Sequence, residues 1–226
     1  MTNTQKQYAI LSLPVIVGAL GYFVDIYDLL LFSIVREPSL RTIGVADAQM
    51  LSVSTKIINW QMVGLLLGGI LWGSLGDKKG RLSVLFGSII LYSIANFANG
   101  FVVTPEQYVW ARFFAGIGLA GELGAGITLV SELLPKDKRG LGTSLVAGIG
   151  LSGAVMAYFI FKFSGDWRLC YKIGGGLGLL LLLLRVSVAE SGMFQSIKSK
   201  EVSRGNFFMF FTNATRFKKY LLAILI

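Results

Sequence analysis

Residues 57–103 read IINWQMVGLLLGGILWGSLGDKKGRLSVLFGSIILYSIANFANGFVV. Two apolar blocks, 57–75 and 83–103, stand either side of a short polar turn. Each has the length, about 20 residues, whose helical rise crosses a hydrocarbon core of about 30 Å. The turn carries Asp77, Lys78 and Lys79 between Gly76 and Gly80, with Arg81 closing it, which suits two antiparallel helices joined in few residues. This is a membrane hairpin, and the rest of the chain repeats it. Further blocks at 9–35, 106–133, 141–162 and 169–189 predict an all-α, polytopic bundle of six transmembrane helices within residues 1–189. Residues 190–219, with Phe207, Phe208, Phe210 and Phe211, read as an interfacial cytoplasmic connection. Residues 220–226 rise only about 10 Å, so the expectation is that the chain stops at the start of a seventh transmembrane helix.

Composition agrees. Of 226 residues, 54% are hydrophobic and 15% charged, against about 25% charged in an ordinary soluble chain. A water-facing shell cannot be built from this. One Cys and no His exclude a disulfide framework and a thiolate metal cage, and remove the commonest metal ligand and acid-base catalyst. There is no nucleophile-base arrangement either, so the reading is of no enzyme, no cofactor and no metal. The first block is too long for a signal peptide and lacks a cleavage site, and is read as a retained helix.

The net charge of +9 is a topology signal. With the N-terminus in the cytoplasm, the inside set is Lys6, Lys78, Lys79, Arg81, Lys136, Lys138, Arg139, Arg185 (at a helix end), Lys198, Lys200, Arg204, Arg216, Lys218 and Lys219. The outside set is Arg36, Arg41, Lys56, Lys162 and Arg168. Fourteen against five places both ends of the six-helix unit inside. Nucleic acid is not expected as a partner. The lipid bilayer is, with stretch 198–219 against anionic headgroups.

Small residues at four-residue spacing let helices approach closely in lipid. They recur at Gly64, Gly68, Gly69 and Gly73, at Ser144, Gly148 and Ser152, and at Gly174 and Gly178. The fourth helix has them on every face (Gly116, Gly118, Ala120, Gly121, Gly124, Ala125, Gly126), which suits one packed side and one side lining a cavity.

Four ionisable residues fall at membrane depth, each costing at least about 2.5–3.5 kcal/mol at a helix centre. Asp25 and Asp28 are three apart on the first helix, and Arg112 and Glu122 sit on the fourth. Asp28 and Arg112 lie about 10 and 9 Å from the outer ends of their blocks, so adjacent helices would pair them. Asp25 and Glu122 both fall near the midplane, facing one interior cavity. Asp28 with Arg112 is either a fixed pair locking two helices or a proton-coupling pair, a carboxyl that holds Arg when ionised and releases it when protonated. Asp25 and Glu122 are either satisfied polar residues or a substrate or proton site, which Gln61 and Asn59 join or merely border. Lys172 is near enough to a helix end to snorkel, and Tyr22, Tyr27 and Trp60 are candidates for the cavity border.

The turn pattern G-x-L-x-D-x-x-G-R, from Gly73 through Asp77 to Gly80 and Arg81, resembles the signature loop of the major facilitator superfamily of secondary transporters. Arg112 followed by Gly116, Gly118 and Ala120 is similar to its fourth-helix motif. Glu132, Pro135, Arg139 and Gly140 resemble its E-x-x-P-x-x-x-R-G pattern, and Glu190-Ser191 with Phe194 resembles the end of its sixth helix. Gly21 to Asp28 and Gly121-Glu122-Leu123-Gly124 are most similar to the metabolite:proton symporter and sugar- or phosphate-porter branches. Leu82 departs from the second basic residue common after Arg81, and Gly192 stands where Pro is common.

The resemblance implies two six-helix bundles with a substrate site between them, of which this chain supplies the first. It implies proton coupling at Asp28 and Arg112, and a cytoplasmic gate formed by Gly73, Asp77, Gly80, Arg81, Glu132 and Arg139. The expected function is proton-coupled symport of a small polar metabolite (an organic acid, osmolyte, sugar or phosphate) across the cell inner membrane by alternating access. The expected partners are that small molecule, protons, the bilayer and a missing C-terminal half, without which these residues are expected to be inactive. The alternative is a non-transporting membrane remnant, sensor or assembly partner of the same fold.

Overall fold

A computed structural model of the chain describes residues 12–79, 81–134 and 137–190. The expectations for Lys6, for the connection 190–219 beyond Glu190, and for the start of a seventh helix lie outside the described residues. So do those for Gly80, for Pro135, and for the side chains of Asp77, Arg81 and Glu132.

Among the described residues six α-helices run in alternating directions: α1 (Leu13–Thr42), α2 (Met50–Lys79), α3 (Arg81–Asn99), α4 (Pro105–Leu133), α5 (Arg139–Ser164) and α6 (Trp167–Glu190). The chain is an all-helical polytopic membrane bundle. No strand occurs among the described residues. Segments 15–42, 47–76, 139–164 and 167–186 are each long and apolar enough to cross a membrane.

Helix ends follow local chemistry. Pro105 opens α4 where a backbone N–H would be unpaired anyway, and Thr104 Oγ1 accepts from Gln107 N at 3.3 Å. α5 stops at Gly165, whose φ of +64° suits glycine and whose N–H donates to Phe161 O at 2.8 Å. Asp166 Oδ1 then accepts from Arg168 N at 2.8 Å, starting α6. α1 runs to Thr42, past the apolar block that ends at 35, with Pro38 inside it. Hydropathy marks the membrane stretch, whereas the helix continues through Arg36, Glu37 and Arg41, where a Glu37–Arg41 ion pair spans one turn at 3.0 Å.

Packing is closest between α2 and α4, α1 and α5, and α3 with α4 and α6; α1 also touches α4 and α6. Apolar side chains such as Leu66, Ile94, Leu151, Leu179 and Leu183 point outward, as lipid requires.

The glycines sort by face. Added Cβ atoms at Gly64 and Gly68 would strike the α4 backbone at Phe113 and Ile117, whereas Gly69 and Gly73 have open space. Gly174 packs on Tyr27, and Gly178 on Ser93 and Tyr92. On α5 the expected stripe faces the wrong way. Ser144, Gly148 and Ser152 are exposed, and the packed face is Gly142, Val146, Gly150, Gly153 and Ala157. Four-residue spacing identifies a stripe, not the side on which a neighbour sits. The small residues of α4 sort in the same way. Gly116 meets Gln61 of α2, Gly118 meets Tyr92 of α3, and Gly121 meets Ser88 and Trp72, so these three line two packed flanks, while the packing of Gly124, Ala125 and Gly126 lies outside the described residues.

Candidate functional site

The bundle is polar inside. Asp25, Asp28, Gln61, Asn96, Arg112, Glu122 and Arg185 are all buried while leucines face outward. Burying a charge in lipid-embedded protein is tolerable only when it is paired and hydrogen-bonded, so each charge's partner carries the chemistry.

Asp28 of α1 and Arg112 of α4 are brought together. Arg112 Nη1 donates to Asp28 Oδ1 at 2.6 Å, and their side chains are 0% and 1% exposed. Arg112 Nη2 donates to the Asp28 backbone O at 3.2 Å, Nη1 also to Asn96 Oδ1 at 3.3 Å, and Nε to Gln61 Oε1 at 3.3 Å. The guanidinium further lies 5.5 Å from the centre of the Tyr171 ring. Every nitrogen of Arg112 is therefore engaged by α1, α2 or α3. Asp28 Oδ2, by contrast, is buried with no hydrogen-bond partner. The pair is capped by a hydroxyl chain in which Tyr108 Oη lies 2.7 Å from Tyr171 Oη and 3.4 Å from Ser39 Oγ, donating to one and accepting from the other. Tyr27, the residue before Asp28, donates to the Cys170 backbone O at 2.8 Å.

Glu122 does not face Asp25 alone across a cavity. It meets Arg185 of α6, whose Nη2 lies 2.5 Å from Glu122 Oε1 with side chains 7% and 4% exposed. Arg185, counted from the sequence with the cytoplasmic basic residues at a helix end, is thus a buried ion-pair partner. The depth arithmetic that pairs Asp28 with Arg112 also finds it. Glu122 is 17 residues into α4 and Arg185 is 18 residues into α6, helices that start at the same end of the bundle. Asp25 is buried beside them without an ion pair among the described residues.

Gln61 belongs to the Arg112 site, and its neighbour Asn59 is exposed. Trp60 is partly exposed and packs tilted against Trp110 and edge-on against Phe113, between α2 and α4. Lys172 extends over the Phe101 ring at 4.6 Å near the start of α6, as a snorkelling side chain does. Of the gate motif, Gly73 is exposed and Arg139 donates from Nε to Leu134 O at 3.1 Å. No group of three or more candidate ligands that could hold a metal ion occurs among the described residues.

Residues 8–226 match the family model of the Major Facilitator Superfamily. The chain belongs to that superfamily. Among proteins similar to this superfamily member are a putative metabolite transport protein of Haemophilus influenzae and the niacin transporter NiaP of Acinetobacter baylyi. The first is 30% identical over 86% of this chain and 47% of its own length. The second is 29% identical over 77% and 40%. The 4-hydroxybenzoate transporter PcaK of Pseudomonas putida is 29% identical over 64% of this chain and 33% of its own. The chain spans about half the length of these first two relatives. Of solved structures, the proton:xylose symporter XylE superposes with a TM-score of 0.69 at 20% identity, covering 77% of this chain and 44% of that one. The partially occluded inward-open form of XylE from E. coli gives 0.69 at 20% identity over 94% and 55%. These superpositions establish the fold. The superfamily member is a multi-pass membrane protein whose relatives are transporters and not enzymes.

Proposed function

We propose that this chain forms the first six-helix half of a proton-coupled symporter of a small polar metabolite, such as an organic acid, osmolyte, sugar or phosphate. It works by alternating access in the cell inner membrane, with the N-terminus cytoplasmic. The substrate site is completed by a second half. Asp25, Glu122 and Gln61 belong to the substrate or proton site, and the segment around Gly73, Asp77, Gly80, Arg81, Glu132 and Arg139 gates the cytoplasmic side.

The observation that carries the reading is the Asp28–Arg112 pair. An ionised Asp28 is needed to neutralise a guanidinium that Gln61, Asn96 and the Asp28 backbone hold but cannot neutralise. Protonating Asp28 removes that charge, weakens the 2.6 Å contact and frees Arg112 for another partner. The two protonation states thus favour different arrangements of α1 against α4, which is what coupling a proton to a conformational cycle requires. The test is uptake in liposomes containing the full-length carrier. Asp28→Asn is expected to abolish uptake driven by a pH gradient while sparing substrate exchange. Gradient-driven uptake that survives in that variant overturns the assignment.

A further inference from the structure

The reading above places Asp25 and Glu122 in a substrate or proton site and gives Arg185 no part in it. Arg185 lies against the backbone of α1 at Gly21. A Cβ on Gly21 would run into Nη2 of Arg185 and come within 2.6 Å of Glu122 Oε1, so the missing side chain is what lets the guanidinium seat there. Asp25 follows Gly21 by one helical turn and stands on the same strip of α1, about 5–6 Å further along. The charges that bear on its carboxyl are Glu122, Arg185 and Asp28. On α3, Tyr92 donates from Oη to Val24 O at 3.4 Å and faces Asp25, Asp28, Arg112 and Glu122. α2 contributes the neutral Gln61, and α5 meets this part of α1 through Gly150 and Gly153, without a charge among the described residues.

The two guanidinium groups differ in how they are used. All three nitrogens of Arg112 have acceptors. Arg185 Nη1 is buried and has none, since the guanidinium meets Glu122 Oε1 through Nη2 at 2.5 Å. Two buried carboxylates therefore flank one buried cation that keeps a donor in hand.

The geometry points to Arg185 as the shared counter-ion of Glu122 and Asp25, the three forming one proton-binding unit across α1, α4 and α6. The unit deepens, and rests on, the proton-coupled reading above. One cation neutralises one carboxylate, and a proton neutralises the other, since an uncompensated buried charge is costly. When the guanidinium passes along α1 from Glu122 to Asp25, the proton passes the other way, from Asp25 to Glu122. No bond between heavy atoms changes, and the unit's charge is constant. Gly21 keeps the path of the guanidinium clear. Arg185 is in this scheme a positioning residue, which sets which of the two acids holds the proton.

The test needs no substrate. Infrared titration of the carboxylic-acid band, on the protein in lipid nanodiscs, follows Asp25 once Asp25→Asn has assigned its share. In Glu122→Gln the whole of Arg185 is available to Asp25, and the Asp25 midpoint is expected about 1–3 pH units below that in Glu122→Gln/Arg185→Met. Equal midpoints overturn the proposal, since Arg185 then serves Glu122 alone. Gly21→Ala keeps every charge and carries the test if the double variant does not fold. Displacing the guanidinium from α1 is expected to raise the Asp25 midpoint by about 1 unit or more, and an unchanged midpoint overturns the proposal. Arg185→Lys, which restores a cation, is expected to keep most of the effect; a purely packing role predicts no such rescue. The outcome is separable from the transport reading. A titration that behaves as expected in a protein that performs no gradient-driven uptake counts against symport and supports the unit. Uptake without the titration shift sinks the unit alone.

Discussion

Removing either member of the Asp28–Arg112 pair should destabilise the bundle far more than removing any surface pair, and the size can be worked out. The side chains meet at 2.6 Å with almost no exposure. Two unit charges about 4 Å apart at an effective dielectric of about 20 attract by about 4 kcal/mol. Asp28→Asn leaves Arg112 as an uncompensated buried cation, and Arg112→Gln leaves Asp28 as an uncompensated anion. Each loss is expected at about 3–5 kcal/mol. The double variant strands no charge, so its loss should fall short of the sum of the singles by about 2–3 kcal/mol. The assay is equilibrium unfolding in mixed detergent–SDS micelles followed by far-ultraviolet circular dichroism. The Glu37–Arg41 pair is an internal control. It has a similar separation of 3.0 Å but 63% and 54% exposure, and its coupling is expected at about 0.3–0.5 kcal/mol. If the Asp28–Arg112 coupling is no larger than that of the control, the pair does not compensate its own burial and the reasoning fails.

Other expectations follow from packing. Gly118→Ala puts a methyl 2.5 Å from Tyr92 N and should destabilise by about 1–3 kcal/mol, read as a lower Tm, whereas Gly148→Ala points into open space and should be neutral or slightly stabilising. Tyr27→Phe deletes the 2.8 Å bond to Cys170 O and leaves a buried carbonyl without that donor, for a loss of about 1–3 kcal/mol in the same unfolding assay. Cys170, the chain's single cysteine, is buried, so maleimide labelling should be slow in the folded protein and rapid in SDS; fast labelling of the folded protein would contradict the packing of α6 on α1.

The helix count was legible because lipid imposes one length on every apolar block, and the turn at Asp77–Arg81 marks a hairpin by charge and glycine alone. The Asp28–Arg112 contact was legible for a related reason: rise per residue converts sequence position into depth, and buried charges must find partners. The same arithmetic stopped short at Arg185. Counting it among the cytoplasmic basic residues at a helix end hid its match in depth to Glu122. Which face of α5 packs was not legible, since small residues stand both on the Ser144-Gly148-Ser152 face and on the Gly142-Gly150-Gly153-Ala157 face until α1 is placed. The overrun of α1 to Thr42 was missed because hydropathy reports the solvent a helix crosses, not where its hydrogen bonds end.

The bare flanks of α4 have a consequence for anyone who wishes to watch the protein work. Backbone meets backbone where Gly116 faces Gln61 and Gly118 faces Tyr92, and Trp72 of α2 hydrogen-bonds Ile117 O at 2.7 Å. Contacts of that closeness leave no compressible side chain to absorb a slip, so α2, α3 and α4 must travel as one piece. Spectroscopic labels at outward positions such as Met62 on α2 and Ile94 on α3 should keep a fixed separation through any cycle. They would serve as a built-in ruler against which the movement of every other helix can be measured.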